Sequence, residues 1–523
     1  MTSPGSTHDD VANFEALTPL HFLSRSSRVH ADRIVVQDGD AAYTYAEWYQ
    51  RANRLASYLV SKGIGQGDSV GVLARNGEFS LLTHYSVPMV GGLLVQMNVR
   101  SNGDDVDYIV EHSSMRLLFV SEDLLSVVRG SSGTRIVVID ERLEAELMKM
   151  ELTELSPVRD ELGPLAINYT SGTTSRPKGV VYHHRGAYLN SLAMALDHGL
   201  TADSSYLWTL PMFHCNGWCF PWATVAVGAR NICMEKVDPE AVWELCVSGV
   251  VTHLCAAPTV LVMLSESDHA RQLDRPVRII TAGAAPSPTI LGRMEEFGFV
   301  VDHVYGLTET YGPFTVNVEN LRDEPTGRLV RRARQGDANT LSGQVEVWDM
   351  NDSPVPADGE TLGEIVMRGN GIMSKYHRDP SATCDAFRRG WFHTGDIGVK
   401  HPNGQVEIKD RLKDLIISGG ENISTVEIER AIASHPNVLE CAVVAKPDSR
   451  WGEVPVAFVE IRQGASTSSA ELLDHCRERI APFKVPKQVF FGQLPKGSTG
   501  KILKSELRQS LKNFQPNRDS EET

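Results

Sequence analysis

Residues 169–180, YTSGTTSRPKGV, put hydroxyls, a glycine and a lysine directly after the strand-like run LAIN (Leu165 to Asn168). Gly172 lets backbone amides approach an anion, Thr170, Ser171, Thr173 and Thr174 offer hydroxyl donors, and Lys178 offers positive charge. That set suits phosphate. It is not a Walker A loop, because Pro177 stands where that motif needs its second glycine and Gly179 where it needs a hydroxyl after the lysine. Taken alone, a hydroxyl-rich turn between a strand and a helix is equally an ordinary loop.

Further stretches follow in a definite order: TAGAAP (281–286), YGLTET (305–310), WFHTGD (391–396), KDRLKDLIISGGENIS (409–424) and LPKGSTGK (494–501). Together with the first loop they resemble the adenylate-forming (ANL) superfamily of acyl-CoA synthetases, adenylation domains and luciferases. The resemblance covers nearly the whole chain. With PMFHCNGW (211–218) in its middle, the chain looks most like the AMP-forming acid–CoA ligases.

That resemblance implies a two-step reaction using ATP, Mg²⁺ and CoA. A carboxylate must be brought against the α-phosphate, two anions that repel, so positive charge and orientation are the main needs. By resemblance the first loop holds the β- and γ-phosphates with Lys178 as counter-charge, Glu309 holds Mg²⁺, an oxygen ligand for a hard cation, and Thr308 contacts the α-phosphate. Tyr305 and Gly306 belong to the same nucleotide-contacting stretch. Gly283, Ala284, Ala285 and Pro286 have little side chain, as a flat adenine on the backbone requires; without the other motifs they are an ordinary loop after a strand. Asp396 suits a carboxylate accepting both ribose hydroxyls, with Arg411 reaching the same nucleotide.

Lys501 taken alone is a solvated lysine; in the superfamily pattern it offsets charge on the carboxylate and α-phosphate during adenylation. Gly419 and Gly420 are then implied to line a pantetheine tunnel for the thioester step, after the C-terminal domain turns about a hinge at Asp410. His214 is implied at the mouth of the acyl pocket, with Asn216 and Trp218 lining it, whereas at least two of Phe213, Trp218, Phe220 and Trp222 are expected in the core. Two tryptophans near the site favour a short to medium, branched or aryl acid. Delivery of the acyl group to a carrier-protein thiol, or activation of an oxyanion such as nitrite, are the alternatives.

These residues need a framework to hold them. Up to about residue 310, strand-like runs (SVGVLA, LLVQMN, LLFV, TRIVVID, SYLWTLP, VTHLCAA, VRIITAG) alternate with segments of helix length, which argues for mostly parallel, doubly wound α/β subdomains. Trp48, Ala52, Leu55 and Leu59 repeat at helical spacing in a segment ending at Gly63. From about residue 341, short strands with Gly, Pro and Asn turns suggest a small β-barrel-like unit. After Arg411, STVE (Ser424 to Glu427) and SSAE (Ser468 to Glu471) fit capping boxes, and ECAVVA and PVAFVEI read as strands of a compact α+β domain. The expected division is 1–409, an AMP-binding domain, and 410–523, a mobile C-terminal domain.

A formal charge of −15, from 51 Lys+Arg against 66 Asp+Glu, disfavours nucleic acid or an anionic membrane as partner. The basic stretch RLVRRAR (328–334) reads as a solvated surface loop, and His183 and His184 as structural. Eight cysteines without a CxxC pair read as reduced thiols rather than disulfides or zinc ligands. No apolar run is long enough to span a bilayer, and the N-terminus lacks a secretory signal, so the expected location is the cytoplasm. A homodimer is the default expectation for association.

Overall fold

The computed structural model describes residues 13–129, 133–170, 176–317, 327–419, 421–496 and 502–513. Internal contacts divide the chain into two compact units. One comprises Met1–Thr170, Pro177–Val345 and Met367–Phe392; the other comprises Ser171–Arg176, Glu346–Val366 and His393–Thr523.

The first unit is built on two large sheets. In the nine-stranded sheet, Phe299–Leu307, Val277–Thr281, His253–Ala256, Ser205–Trp208, Arg230–Cys233 and Ile34–Asp38 run parallel in that order. Antiparallel strands Gly312–Val316 and Ala41–Thr44 extend the two sides. In the seven-stranded sheet, Ser69–Leu73 lies between Leu93–Gln96 and Met115–Ser121, parallel to both and buried along its whole length. Strands covered on both faces read as unbroken apolar runs, which is why these segments were visible in the sequence. Helix Tyr45–Ser61 is opened by a complete Thr44/Glu47 capping box, and its Trp48, Ala52, Leu55 and Leu59 are wholly buried.

RLVRRAR departs from the expected loop. Arg328–Arg332 forms a short helix, because Arg328 and Arg332, four apart and so on one face, both meet the carboxylate of Glu295. Arg332 also donates to the Val301 carbonyl at 2.6 Å.

The second unit carries the strands of a curled half-barrel, with Gly363–Arg368 beside Trp391–Lys400, and Val406–Arg411 antiparallel to the latter. Its C-terminal part is a five-stranded sheet dominated by the antiparallel pair Val438–Asp448 and Gly452–Ile461. Helices Thr425–Ala433 and Ser469–Arg477 pack on it around Ile416, Ile428, Ile432, Val443, Val459 and Leu472. Ser468 and Glu471 complete a capping box. Ser424 caps the Glu427 N–H, but the Glu427 carboxylate pairs with Lys484 at 2.7 Å instead.

All eight cysteines are free thiols. Among the described residues, no cluster of three or more His, Cys, Asp or Glu is placed to hold a metal ion, and no helix is long and apolar enough to cross a membrane.

Candidate active site

Strands Pro164–Tyr169 and Gly179–His183 are antiparallel neighbours, with Tyr169 opposite Gly179. Just beyond this register, the Thr170 N–H donates to the Lys178 carbonyl at 3.0 Å, and the Lys178 N–H donates to Thr170 Oγ1 at 3.2 Å. Thr170 and Lys178 therefore form one closed hydrogen-bonded pair. Ser171, Gly172, Thr173 and Thr174 lie outside the described residues. Tyr108 braces the returning limb by donating to the Pro177 carbonyl at 3.1 Å.

Lys178 is exposed, and its ammonium stands 4.7 Å from the ring centroid of Tyr376. The other end of that tyrosine reaches Glu309: the phenol donates to Glu309 Oε1 at 2.7 Å. Both residues are largely buried. Burial, reinforced by the neighbouring Glu309 charge, holds the phenol far above its ordinary pKa, so it remains a donor. A depression of about 410 Å³ opens beside Lys178 and Tyr376 and includes Asp379 and Asp385 in its wall.

Glu309 sits in a tight turn. Strand Phe299–Leu307 brings Tyr305 and Gly306 to the turn Thr308–Thr310, and Gly312–Val316 returns beside it. A side chain at Gly306 would collide with the Gly312 carbonyl, so the hairpin closes only on glycine. Thr310 Oγ1 accepts from the Leu307 N–H at 2.8 Å and donates to the Gly312 carbonyl at 2.7 Å. Tyr182 donates to the Thr308 carbonyl at 2.6 Å and stacks on Tyr311 at 3.9 Å between centroids. Tyr311 accepts the His183 N–H at 2.7 Å. His183 caps the Gly186 N–H and His184 meets Thr18 Oγ1, the structural uses expected of both; burial lowers each to about 4.

In the middle stretch, Cys215, Asn216, Gly217, Trp218 and Cys219 all take positive φ, a left-handed turn that costs roughly 1–2 kcal/mol for each non-glycine residue. Packing over-determines it. Asn168 donates to Asn216 Oδ1 and accepts the Asn216 N–H at 3.1 Å, and Trp218 lies against Gly312, where a Cβ would meet the indole. Trp218, Phe220 and Trp222 are buried, Phe213 half-buried. His214 is half-buried at the entry to the turn, its carbonyl accepting the Gly217 N–H at 2.9 Å. Burial pushes the Cys215 thiol up to about 12, which makes it an inert neighbour of Thr308.

Gly283 and Ala284 are exposed, Ala285 half-buried and Pro286 buried. They follow the C-terminal end of the parallel strand Val277–Thr281, where ligands of open α/β sheets bind. Gly283 has a φ of +92°, and helix Pro288–Glu296 begins behind the loop on the Ser287 cap.

In the second unit, Asp396 and Arg411 stand directly opposite on neighbouring antiparallel strands, with Arg411 Nε 3.4 Å from Asp396 Oδ1. Asp396 is 6% exposed and Arg411 reaches the surface. Asp410 is buried; its carboxylate accepts the Arg411 N–H at 2.7 Å and the Thr425 N–H that opens helix Thr425–Ala433. Burial raises its pKa against the opposing charge of Lys504. Lys504 in turn donates to Thr425 Oγ1 at 2.7 Å and pairs with Glu429 at 2.8 Å. The Gly419 N–H donates to the Trp451 carbonyl at 2.8 Å, and the exposed Trp451 ring lies over the space a Cβ at Gly419 would need. Gly420 and Lys501 lie outside the described residues.

The sequence reading missed Tyr376, Tyr182, Tyr311, Asn168 and Lys504. Only Lys504 carried a local signal, a charge three residues past Lys501.

Three comparisons bear on this arrangement. A model of the AMP-binding enzyme family matches residues 23–377, and one of the AMP-binding enzyme C-terminal domain matches 427–501. The chain is 42% identical to a peroxisomal acetate/butyrate–CoA ligase of Arabidopsis thaliana, over 97% of this chain and 96% of that one. It is 40% identical to a 2-methylpropanoate–CoA ligase of Humulus lupulus, over 95% of each. Among solved structures it resembles the o-succinylbenzoate coenzyme A synthetase of Bacillus subtilis in complex with ATP and magnesium ion, with a TM-score of 0.83 and 27% identity over 93% of this chain and 99% of that one.

Proposed function

The chain belongs to the AMP-binding enzyme family and is an AMP-forming acid–CoA ligase, and from that premise we propose that it activates a short or branched carboxylic acid, with ATP and Mg²⁺, for transfer to CoA. The observation that carries the nucleotide chemistry is the placement of Lys178 and the Glu309 carboxylate at the two ends of Tyr376. A hard cation bridging phosphates needs one or two carboxylates and takes its remaining ligands from phosphate and water, and a largely buried Glu309 fits that requirement. Magnesium bound there would supply positive charge across the phosphates.

The rest of the work falls to the protein. An oxygen of the acid attacks the α-phosphorus, the bond to the β-phosphate bridge breaks, and pyrophosphate leaves with the bonding electrons. Lys178 and the loop 171–174 hold the departing phosphates, Thr308 contacts the α-phosphate, and Lys501 offsets charge on the carboxylate and α-phosphate. The adenine lies on Gly283 to Pro286 beside Tyr305 and Gly306, and Asp396 accepts the ribose hydroxyls with Arg411 alongside. In the second step the CoA sulfur attacks the acyl carbonyl and AMP leaves. His214 stands at the mouth of the acyl pocket, and Gly419 and Gly420 flank the pantetheine arm.

Supporting a short or branched acid are the named substrates of the acetate/butyrate and 2-methylpropanoate ligases and the large indole of Trp218 packed on Gly312. Exchange of radiolabelled pyrophosphate into ATP, dependent on acetate, butyrate or 2-methylpropanoate, tests this; exchange with long-chain acids alone would overturn it. The hinge is assigned to Asp410, between an AMP-binding domain (1–409) and a mobile C-terminal domain (410–523). Asp410→Pro is then expected to slow thioester formation more than adenylation, and equal losses would argue against a hinge there. A cytoplasmic location and a homodimer complete the reading; cell fractionation and sedimentation check them.

A further inference from the structure

We propose that Tyr376 is a positioning residue for metal-bound ATP: its hydroxyl fixes the Glu309 carboxylate while its ring holds the Lys178 ammonium, so that one side chain sets the spacing of the metal-binding acid and the phosphate-loop cation. This rests on the assignment of Glu309 and Lys178 to the Mg²⁺ and the phosphates.

The geometry has three parts. The phenol donates to Glu309 Oε1 at 2.7 Å, a charge-assisted bond that orients the carboxylate. The Lys178 ammonium lies 4.7 Å from the ring centroid of the same residue, within cation–π range. The backbone under Tyr376 is tied to both elements it serves. Strand Lys375–Tyr376 pairs antiparallel with Gly179–His183, Tyr376 opposite Val180. The Ser374 N–H donates to the Val181 carbonyl at 2.9 Å and the His377 N–H to the Gly179 carbonyl at 2.6 Å. On the other side, the Met373 N–H donates to the carbonyl of Glu309 itself at 2.7 Å. Thr383 Oγ1 accepts the Tyr376 N–H at 3.0 Å, which anchors the strand to the helix Pro380–Ala386.

A residue whose only task was to fill space would need neither hydroxyl nor ring charge partner. Rotation of the Glu309 carboxylate away from a cation it would hold is what the phenol opposes, and withdrawal of Lys178 into solvent is what the ring opposes. The two functions separate in two variants. Tyr376→Phe removes the hydroxyl and keeps the ring; Tyr376→Ala removes both.

The test is binding of ATP to the full chain without acid, so that no turnover occurs, followed by Mn²⁺ electron paramagnetic resonance with Mn²⁺·ATP and by calorimetry with ATP in EDTA. Tyr376→Phe is expected to weaken Mn²⁺·ATP about tenfold, the size of one hydrogen bond to a charged group, and to leave metal-free ATP binding unchanged. Tyr376→Ala is expected to weaken both. In pyrophosphate exchange, Tyr376→Phe should raise the half-saturating Mg²⁺ concentration in the same proportion with the acid KM unmoved. Glu309→Gln supplies the control. If Glu309→Gln weakens Mn²⁺·ATP and Tyr376→Phe binds it as the parent does, the inference on Tyr376 falls alone. If Glu309→Gln also binds as the parent does, the assignment of Glu309 to the metal falls and takes the inference with it.

Discussion

The polar groups around Glu309 and those around Asp410 are held in opposite ways. In the first region the tethers are neutral: three tyrosine hydroxyls, from Tyr182, Tyr311 and Tyr376, meet the Thr308 carbonyl, the His183 backbone and the Glu309 carboxylate, with Tyr182 and Tyr311 stacked. In the second they are ionic. Asp396 faces Arg411, and Asp410, Thr425, Lys504 and Glu429 form a chain of charge and backbone donors at the start of one helix. Neutral donors in a packed interior fix a carboxylate without cancelling its charge, which suits the role proposed for Glu309 as a ligand for the cation that accompanies ATP. Charge pairs at the end of a helix cancel each other and respond to salt and protonation.

The largest expected difference follows from breaking the ionic chain. Lys504→Met leaves Glu429 and Asp410 without their cation and should destabilise the second unit by about 3 kcal/mol, the low end for removing one partner of a buried pair. Hydrogen exchange should show faster opening of helix Thr425–Ala433 with the first unit's central strands unchanged; uniform loosening of both units would dissolve the contrast.

Acid should act on the first unit instead. His84, His183, His184 and His253 are all held at about 4, chiefly by burial, against 6.5 for the free side chain. The unfolded chain then binds more protons as pH falls through 6.5, so stability is full above that value and is lost towards 4, roughly 1 kcal/mol per histidine at pH 6. In the second unit the Glu407 carboxylate, partnered by His401, Lys409 and Arg430, titrates far below its ordinary range despite burial, and the stability it contributes persists until strong acid. Hydrogen exchange at pH 7.5 and pH 6 should therefore show the first unit, with its four deeply buried histidines, loosening more than the second.

Catalysis separates the regions further. Lys501→Ala is expected to slow adenylation about 10²-fold, the usual effect of deleting one preorganised charge, with the folded state unchanged by circular dichroism. Unchanged pyrophosphate exchange would remove Lys501 from the chemistry. The smallest effect is Tyr311→Phe, which loses the hydroxyl that meets the His183 backbone and should cost about 1 kcal/mol, read as a fall in Tm that added salt does not alter.

Much of this was legible in the sequence because it depends on neighbours along the chain. Strands such as Val277–Thr281 announce themselves as apolar runs, helix Tyr45–Ser61 by its spacing, and helix Ser469–Arg477 by its capping box. Partners brought from afar left no local mark. Tyr376 meets Glu309 from 67 residues away, and Asn168 pins Asn216 across 48. The helix Arg328–Arg332 meets Glu295 from more than thirty residues downstream. The left-handed turn at Cys215–Cys219 was the least legible, since four of its five residues pay a steric cost that only the packing of Trp218, Trp208 and Asn168 offsets.

The central claim, that a neutral scaffold presents Lys178 and Glu309 to ATP so that an acid is activated and passed to CoA, is tested most directly by mass spectrometry. The full chain would be incubated with ATP, Mg²⁺, CoA and a panel of acetate, butyrate, 2-methylpropanoate, longer and aryl acids. The account predicts acyl-CoA and AMP in equal amounts, favouring the short and branched acids. AMP or acyl-adenylate without acyl-CoA would contradict it and point to a carrier-protein thiol or another acceptor.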